Sequence, residues 1–168
     1  IQKKLNELTE KNRIYDELEE KYGKQITRIG QLLKQCENAE PAEVQNLLKR
    51  ILLLGTYIKR GANLYFLSLE YELLPQQDLR LTVDEAVRVM TVCGTECSAV
   101  YHTTKPMLTS EVARLFDLLK TVAETTINGL HSMFISVSDS KMDLSVECAA
   151  DLSFLVSSNV TVKREDGL

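Results

Sequence analysis

A chain of 168 residues that is 44% hydrophobic and 26% charged can bury a real core and has the ordinary balance of a globular protein. A net charge of −4 leaves no basic footprint of the kind that holds nucleic acid. No apolar run is long enough to span a bilayer and no signal peptide is present, so the expected compartment is the cytoplasm. The chain opens on Ile1 rather than Met and is read as a piece of a longer protein, with room upstream for a membrane anchor.

Residues 1–36 contain no proline and a heptad pattern. With Ile1 as d, the d positions read Ile1, Leu8, Tyr15, Tyr22, Ile29 and Cys36, and the a positions Leu5, Asn12, Glu19, Ile26 and Leu33. This predicts a long helix with a coiled-coil seam, since a helix of this length is hard to stabilise alone. Pro41 suits the first turn of a second helix, with Glu40 and Glu43 complementing its N-terminal dipole. Val44, Leu47, Ile51, Leu54 and Ile58 continue an apolar stripe towards about Leu74, before Pro75. Additional apolar residues widen that stripe, so this helix should touch more than one neighbour. Two long helices with a short connection predict an antiparallel hairpin that pairs with a second copy as a four-helix bundle. Lys59-Arg60 interrupts the second helix and is expected to meet acids on the first helix or on a partner.

After Pro75 the pattern predicts a helix capped by Thr82, with Glu85 as its capping-box partner, ending at Gly94. "CSAVYHTT" (97–104) reads as a strand. A helix from Thr109 or Ser110 to about Thr126 follows, then two alternating strands, "SMFISVS" and "KMDLSVEC", in a tight hairpin at Asp139-Ser140. "ADLSFLVSSN" reads as a short helix and "VTVKRED" as a last strand. The expected class is α+β: a helical hairpin (residues 1–75), then a small α/β sandwich (residues 76–168) with helices on one face of a mixed sheet.

Four cysteines include the C-x3-C pair Cys93/Cys97, but without a second tight pair a closed zinc site is not expected. No P-loop, G-x-S-x-G, H-E-x-x-H or dinucleotide fingerprint is present. The order of elements, "LFDLLKTVAETTINGLHSMFISVS" and "GTYIKRGANLYFL" together resemble the cytoplasmic region of a bacterial sensor histidine kinase. In that family a dimerising hairpin precedes an ATPase domain of the histidine kinase, gyrase and Hsp90 type. The resemblance places Glu124, Thr125 and Asn128 at the family's magnesium and ATP position, with Thr125 where the metal-binding asparagine belongs. Asn128 also has a reading as a turn residue beside Gly129. Glycine boxes for an ATP lid are missing, and Asp166-Gly167 reads as a turn. The first helix carries no histidine acceptor: Tyr15-Asp16 stands in its place, Tyr15 doubling as a core d residue, while His102 and His131 fall on or beside strands. The resemblance thus implies a degenerate, homodimeric two-component signalling module with no cofactor. The alternatives are an active, ATP-binding histidine kinase fragment and a coiled-coil adaptor.

Overall fold

The computed structural model describes residues 1–139 and 141–156. Their fold is α+β, with two long helices first, two shorter helices, and two small sheets. Helix α1 runs Gln2–Cys36 and α2 runs Pro41–Glu70, with Pro41 at the first turn as expected. The two are antiparallel. Moving down α1, Tyr65 donates from α2 to Glu17, Tyr22 sets its edge against Tyr57, and Leu32 clusters with Leu47 and Leu54.

Within this hairpin the phase of the α1 stripe differs from expectation. Leu18, Tyr22, Ile29, Leu32 and Cys36 turn inward, which is the second half of the d row with two residues of the row just before a. The a residues Leu5, Ile26 and Leu33 point out, as do Leu8 and Tyr15; Tyr15 is 65% exposed rather than a core aromatic. The cause is that α1 has one partner here, and only one of its two adjacent apolar rows can face it.

Helix α2 also stops sooner than predicted. Leu73–Leu74 form strand β1, antiparallel to strand β3 at Met107–Leu108. The buried Thr109 fastens this corner, its N–H donating to the Glu72 carbonyl (2.9 Å) and its hydroxyl to that of Tyr71 (2.8 Å).

Helix α3 spans Gln76–Val92, so Thr82 does not cap it. Pro75 precedes the first turn, and the Thr82 hydroxyl donates one turn back to the Asp78 carbonyl at 2.8 Å. Glu85, instead of closing a capping box, receives Lys59 at 2.7 Å and also pairs with Arg60. Lys59-Arg60 therefore meets an acid on α3, not on α1. Gly94 ends the helix as expected, at φ +91°. Its N–H reaches the Thr91 carbonyl and that of Thr95 reaches Met90, the paired bonds of a Schellman motif.

Strand β2 (Glu96–Tyr101) pairs in parallel with β4 (Leu130–Val137), which pairs antiparallel with β5 (Met142–Cys148). Helix α4, Thr109–Thr126, is the connection between the two parallel strands. The tight β4–β5 hairpin is present, with Ser138 N–H donating to the Lys141 carbonyl at 2.9 Å. Met133, Ile135 and Val137 of β4 face the core with Val83, Met90, Phe116 and Leu119, while Phe134 lies on the open face of the sheet. That buried cluster continues through Leu53, Tyr57 and Leu64 of α2 to Tyr22, so apolar packing runs across position 75. The predicted short helix is a 3₁₀ turn at Ser153–Leu155. The predicted last strand and Asp166-Gly167 lie outside the described residues.

Candidate functional site

Three helices converge on one cleft. Lys24 and Arg28 stand one turn apart on α1, with Gln25 beside them. Arg50 and Leu54 are one turn apart on α2, and Lys120, Glu124 and Thr125 come from the last two turns of α4. Together these eight residues line a cleft of about 360 Å³. Residues four apart on a helix share a face, so each helix contributes one aligned set.

Leu54 is the one aliphatic side chain among the described residues that line the cleft. Leu54 is buried, and beside it Tyr57 stacks on Phe116 (centroids 5.9 Å apart) and takes the edge of Tyr22 at 5.6 Å. The Tyr57 hydroxyl donates to Asp117 at 2.8 Å, and Lys120 Nζ sits 5.1 Å from the Tyr57 ring centre. Burial, and then the bond to Asp117, raises the Tyr57 phenol well above its ordinary range. Burial also pushes the Tyr22 phenol up to about 12.

Electrostatically the cleft is lopsided. Glu124 is its single acid among the described residues, and Lys120 pairs with it at 2.8 Å. Lys24, Arg28 and Arg50 have no carboxylate within ion-pairing distance among the described residues. Gln25 adds a side-chain oxygen, Oε1, that is buried without a hydrogen-bond partner among them.

The residues singled out by sequence divide. Glu124 and Thr125 open onto this cleft; Asn128 does not line it and is exposed in the turn between α4 and β4. Thr125 donates its hydroxyl to the Thr121 carbonyl at 2.8 Å, and Glu124 is held by Lys120. As ligands for a hard cation the three are a poor fit, since a carboxylate beside an ammonium and an exposed amide do not form an oxygen cage. Among the described residues no three His, Cys, Asp or Glu side chains cluster. All four cysteines are free thiols, with Cys97 pushed by burial up to about 11. His102 is exposed just past β2, and His131 is exposed at a register break in β4.

Lys24, Arg28, Arg50 and Lys120 were not anticipated as a site. Their one sequence signal is the absence of acids. Residues 21–36 hold four cations and no Asp or Glu, and residues 44–69 again hold four cations and none. Among the described residues, no helix is long and apolar enough to cross a membrane. No protein-family model, no curated protein and no solved structure matches the chain.

Proposed function

We propose that the chain is a non-catalytic signalling module of the sensor histidine kinase type. Two copies pair through the hairpin, and the α/β layer carries a conformational signal. The observation behind this reading is the open apolar face of the hairpin. On α1 the row Leu5, Leu8, Tyr15, Ile26 and Leu33 lies about 90° around the helix from the residues that meet α2. On α2 the row Leu48, Leu52, Phe66 and Leu69 lies about 100° around from the residues that meet α1. Because the helices are antiparallel, these two rotations point the same way, and both rows emerge on one side. Leu53, Tyr57 and Leu64 of α2 face the other side, towards α4 and the sheet.

The size of that face suits a second copy. Rows some 30–40 Å long on two helices each about 10 Å across cover roughly 600–800 Å², close to the ~800 Å² per partner of a standard stable interface. Glycines on the same side support close approach. A Cβ placed at Gly30 or Gly55 would meet nothing within 4 Å, so no contact among the described residues accounts for either glycine. Each costs its helix about 1 kcal/mol relative to alanine, and a neighbouring helix backbone would account for both.

Catalysis is set aside on chemistry: the acceptor histidine and glycine boxes are missing, and Glu124 is paired with Lys120. Light scattering at micromolar concentration should report about twice the chain mass of 19.0 kDa. Ile26→Glu with Leu52→Glu should return a monomer of unchanged helicity. A wild-type monomer would remove the pairing argument, and phosphoryl transfer from labelled ATP onto the chain would remove the non-catalytic one.

A further inference from the structure

We infer that the cleft between the hairpin and α4 is a binding site for a compact, multiply charged phosphate anion. Lys24, Arg28 and Arg50 hold it from α1 and α2, with Lys120 at its α4 edge. The site lies on the hairpin side that carries α4, away from the apolar face, so it stands or falls independently of dimerisation.

The charge arrangement carries the inference. Lys24 and Arg28 are like charges one turn apart, a spacing that destabilises a helix unless something compensates it. Arg50 brings a third positive charge from the facing helix, and the one acid among the described residues that line the cleft, Glu124, is paired with Lys120. Three uncompensated cations around one cleft create a field that concentrates anions. Two of them are guanidinium groups, whose planar forks match phosphate oxygens in pairs. Gln25 lines the same cleft with a buried, unpartnered amide oxygen; turning the amide about its last bond presents an N–H there instead. A volume of about 360 Å³ walled by three helices admits a compact ligand. It does not admit a duplex or a membrane surface.

Such a ligand would touch α1, α2 and α4 together, fastening the hairpin to the α/β layer. The chemistry that recognises it is the diphosphate group, free or carried on a nucleoside.

Titration calorimetry with magnesium-free pyrophosphate at low salt should give sub-millimolar binding that weakens as salt is raised. Arg28→Ala and Arg50→Ala should each weaken it roughly tenfold, equivalent to about 1.4 kcal/mol. The exposed Lys24→Gln should weaken it in the same direction without disturbing the helix. Lys34→Ala, on α1 but outside the cleft, should leave it within a factor of two. ADP binding as well as pyrophosphate, with adenosine silent, would show that the diphosphate is read wherever it comes from. Pyrophosphate binding with ADP excluded would assign the site to the free anion. Absence of heat with wild-type protein would overturn the proposal. So would unchanged affinity in all three cleft variants, or equal loss in Lys34→Ala, which would mean diffuse attraction to the basic half of the hairpin.

Discussion

Replacing Gly61 by alanine tests how closely α1 and α2 are packed. Gly61 is buried in the middle of α2, and Tyr22 of α1 lies directly over it. A methyl at position 61 would stand 2.8 Å from Tyr22 Cζ and 3.1 Å from Cε1, and closer still to the hydroxyl. Two effects oppose each other. Alanine is worth about 1 kcal/mol over glycine in a helix interior, while forcing atoms into a filled core costs about 1–3 kcal/mol. The Tyr22 ring has little room to retreat, because it is 2% exposed and its edge already meets Tyr57. That puts the cost in the upper part of its range, about 2–3 kcal/mol, so overpacking wins with a net loss of about 1–2 kcal/mol, or roughly 3–6 °C in thermal midpoint for a chain of this size. Tyr22→Phe should shift the other way by about 1 kcal/mol, since the hydroxyl is buried without a partner among the described residues. In the Tyr22→Phe background the penalty of Gly61→Ala should shrink, a coupling that a double-mutant cycle reads directly. Circular dichroism melts at one fixed protein concentration read these shifts, since any self-association would make the midpoint depend on concentration. A Gly61→Ala protein that melts higher than wild type would show that helix propensity governs the position and that the packing argument is wrong.

Two further outcomes follow from burial and proton linkage. Ile135→Ala, at a fully buried position on the central strand, should cost about 2–5 kcal/mol and lower the urea midpoint with unchanged slope, whereas Phe134→Ala on the open face should cost much less; equal losses would contradict the one-sided sheet. The phenols of Tyr22, Tyr57 and Tyr101 are all raised, chiefly by burial, so the folded state holds their protons more tightly than the unfolded chain does. Their stabilisation is complete below the unfolded value of about 10 and declines as pH climbs towards 12 and beyond. Tyrosinate absorbance followed alongside helicity checks this, and six phenols titrating together at the ordinary value with helicity intact would refute it.

Where a feature is written in local periodicity, the sequence made it legible. The periodicity predicts α1 to within one residue of its bounds, α4 and the β4–β5 hairpin nearly as closely, and Gly94 marks the end of α3 in both sequence and structure. Which apolar row of α1 faces inward was not legible, because both rows obey the same period and only the partner decides between them. The Thr82 signal misleads because α3 begins at Gln76, six residues earlier, so Thr82 lies inside the helix, while Glu85 is engaged by Lys59 and Arg60 of α2. Strands of two residues have no period to detect, so β1 and β3 were missed. The cleft was half legible. Glu124 and Thr125 came from the resemblance, but Lys24, Arg28 and Arg50 become neighbours only when the hairpin folds back and α4 packs on it.

Tyr57 is one of the α2 residues through which the hairpin packs on α4 and the sheet. Its ring meets Tyr22 on α1 and Phe116 on α4, and its hydroxyl is held by Asp117. One face of the hairpin exposes an apolar surface, the face proposed to meet a second copy, and the opposite face holds the basic cleft. A ligand that draws α1, α2 and α4 together acts on the same helix pair that a second copy would grip. If the two events prefer the same spacing of α1 and α2, each must strengthen the other by the same factor, because linkage between binding equilibria is reciprocal. Measuring dimer dissociation with and without pyrophosphate, and pyrophosphate affinity in dimer and in the Ile26→Glu, Leu52→Glu monomer, gives that factor twice. Agreement between the two values would mark the hairpin as a two-state element biased from both faces. A factor of one in both would mean that the cleft and the apolar face share a scaffold without sharing a signal.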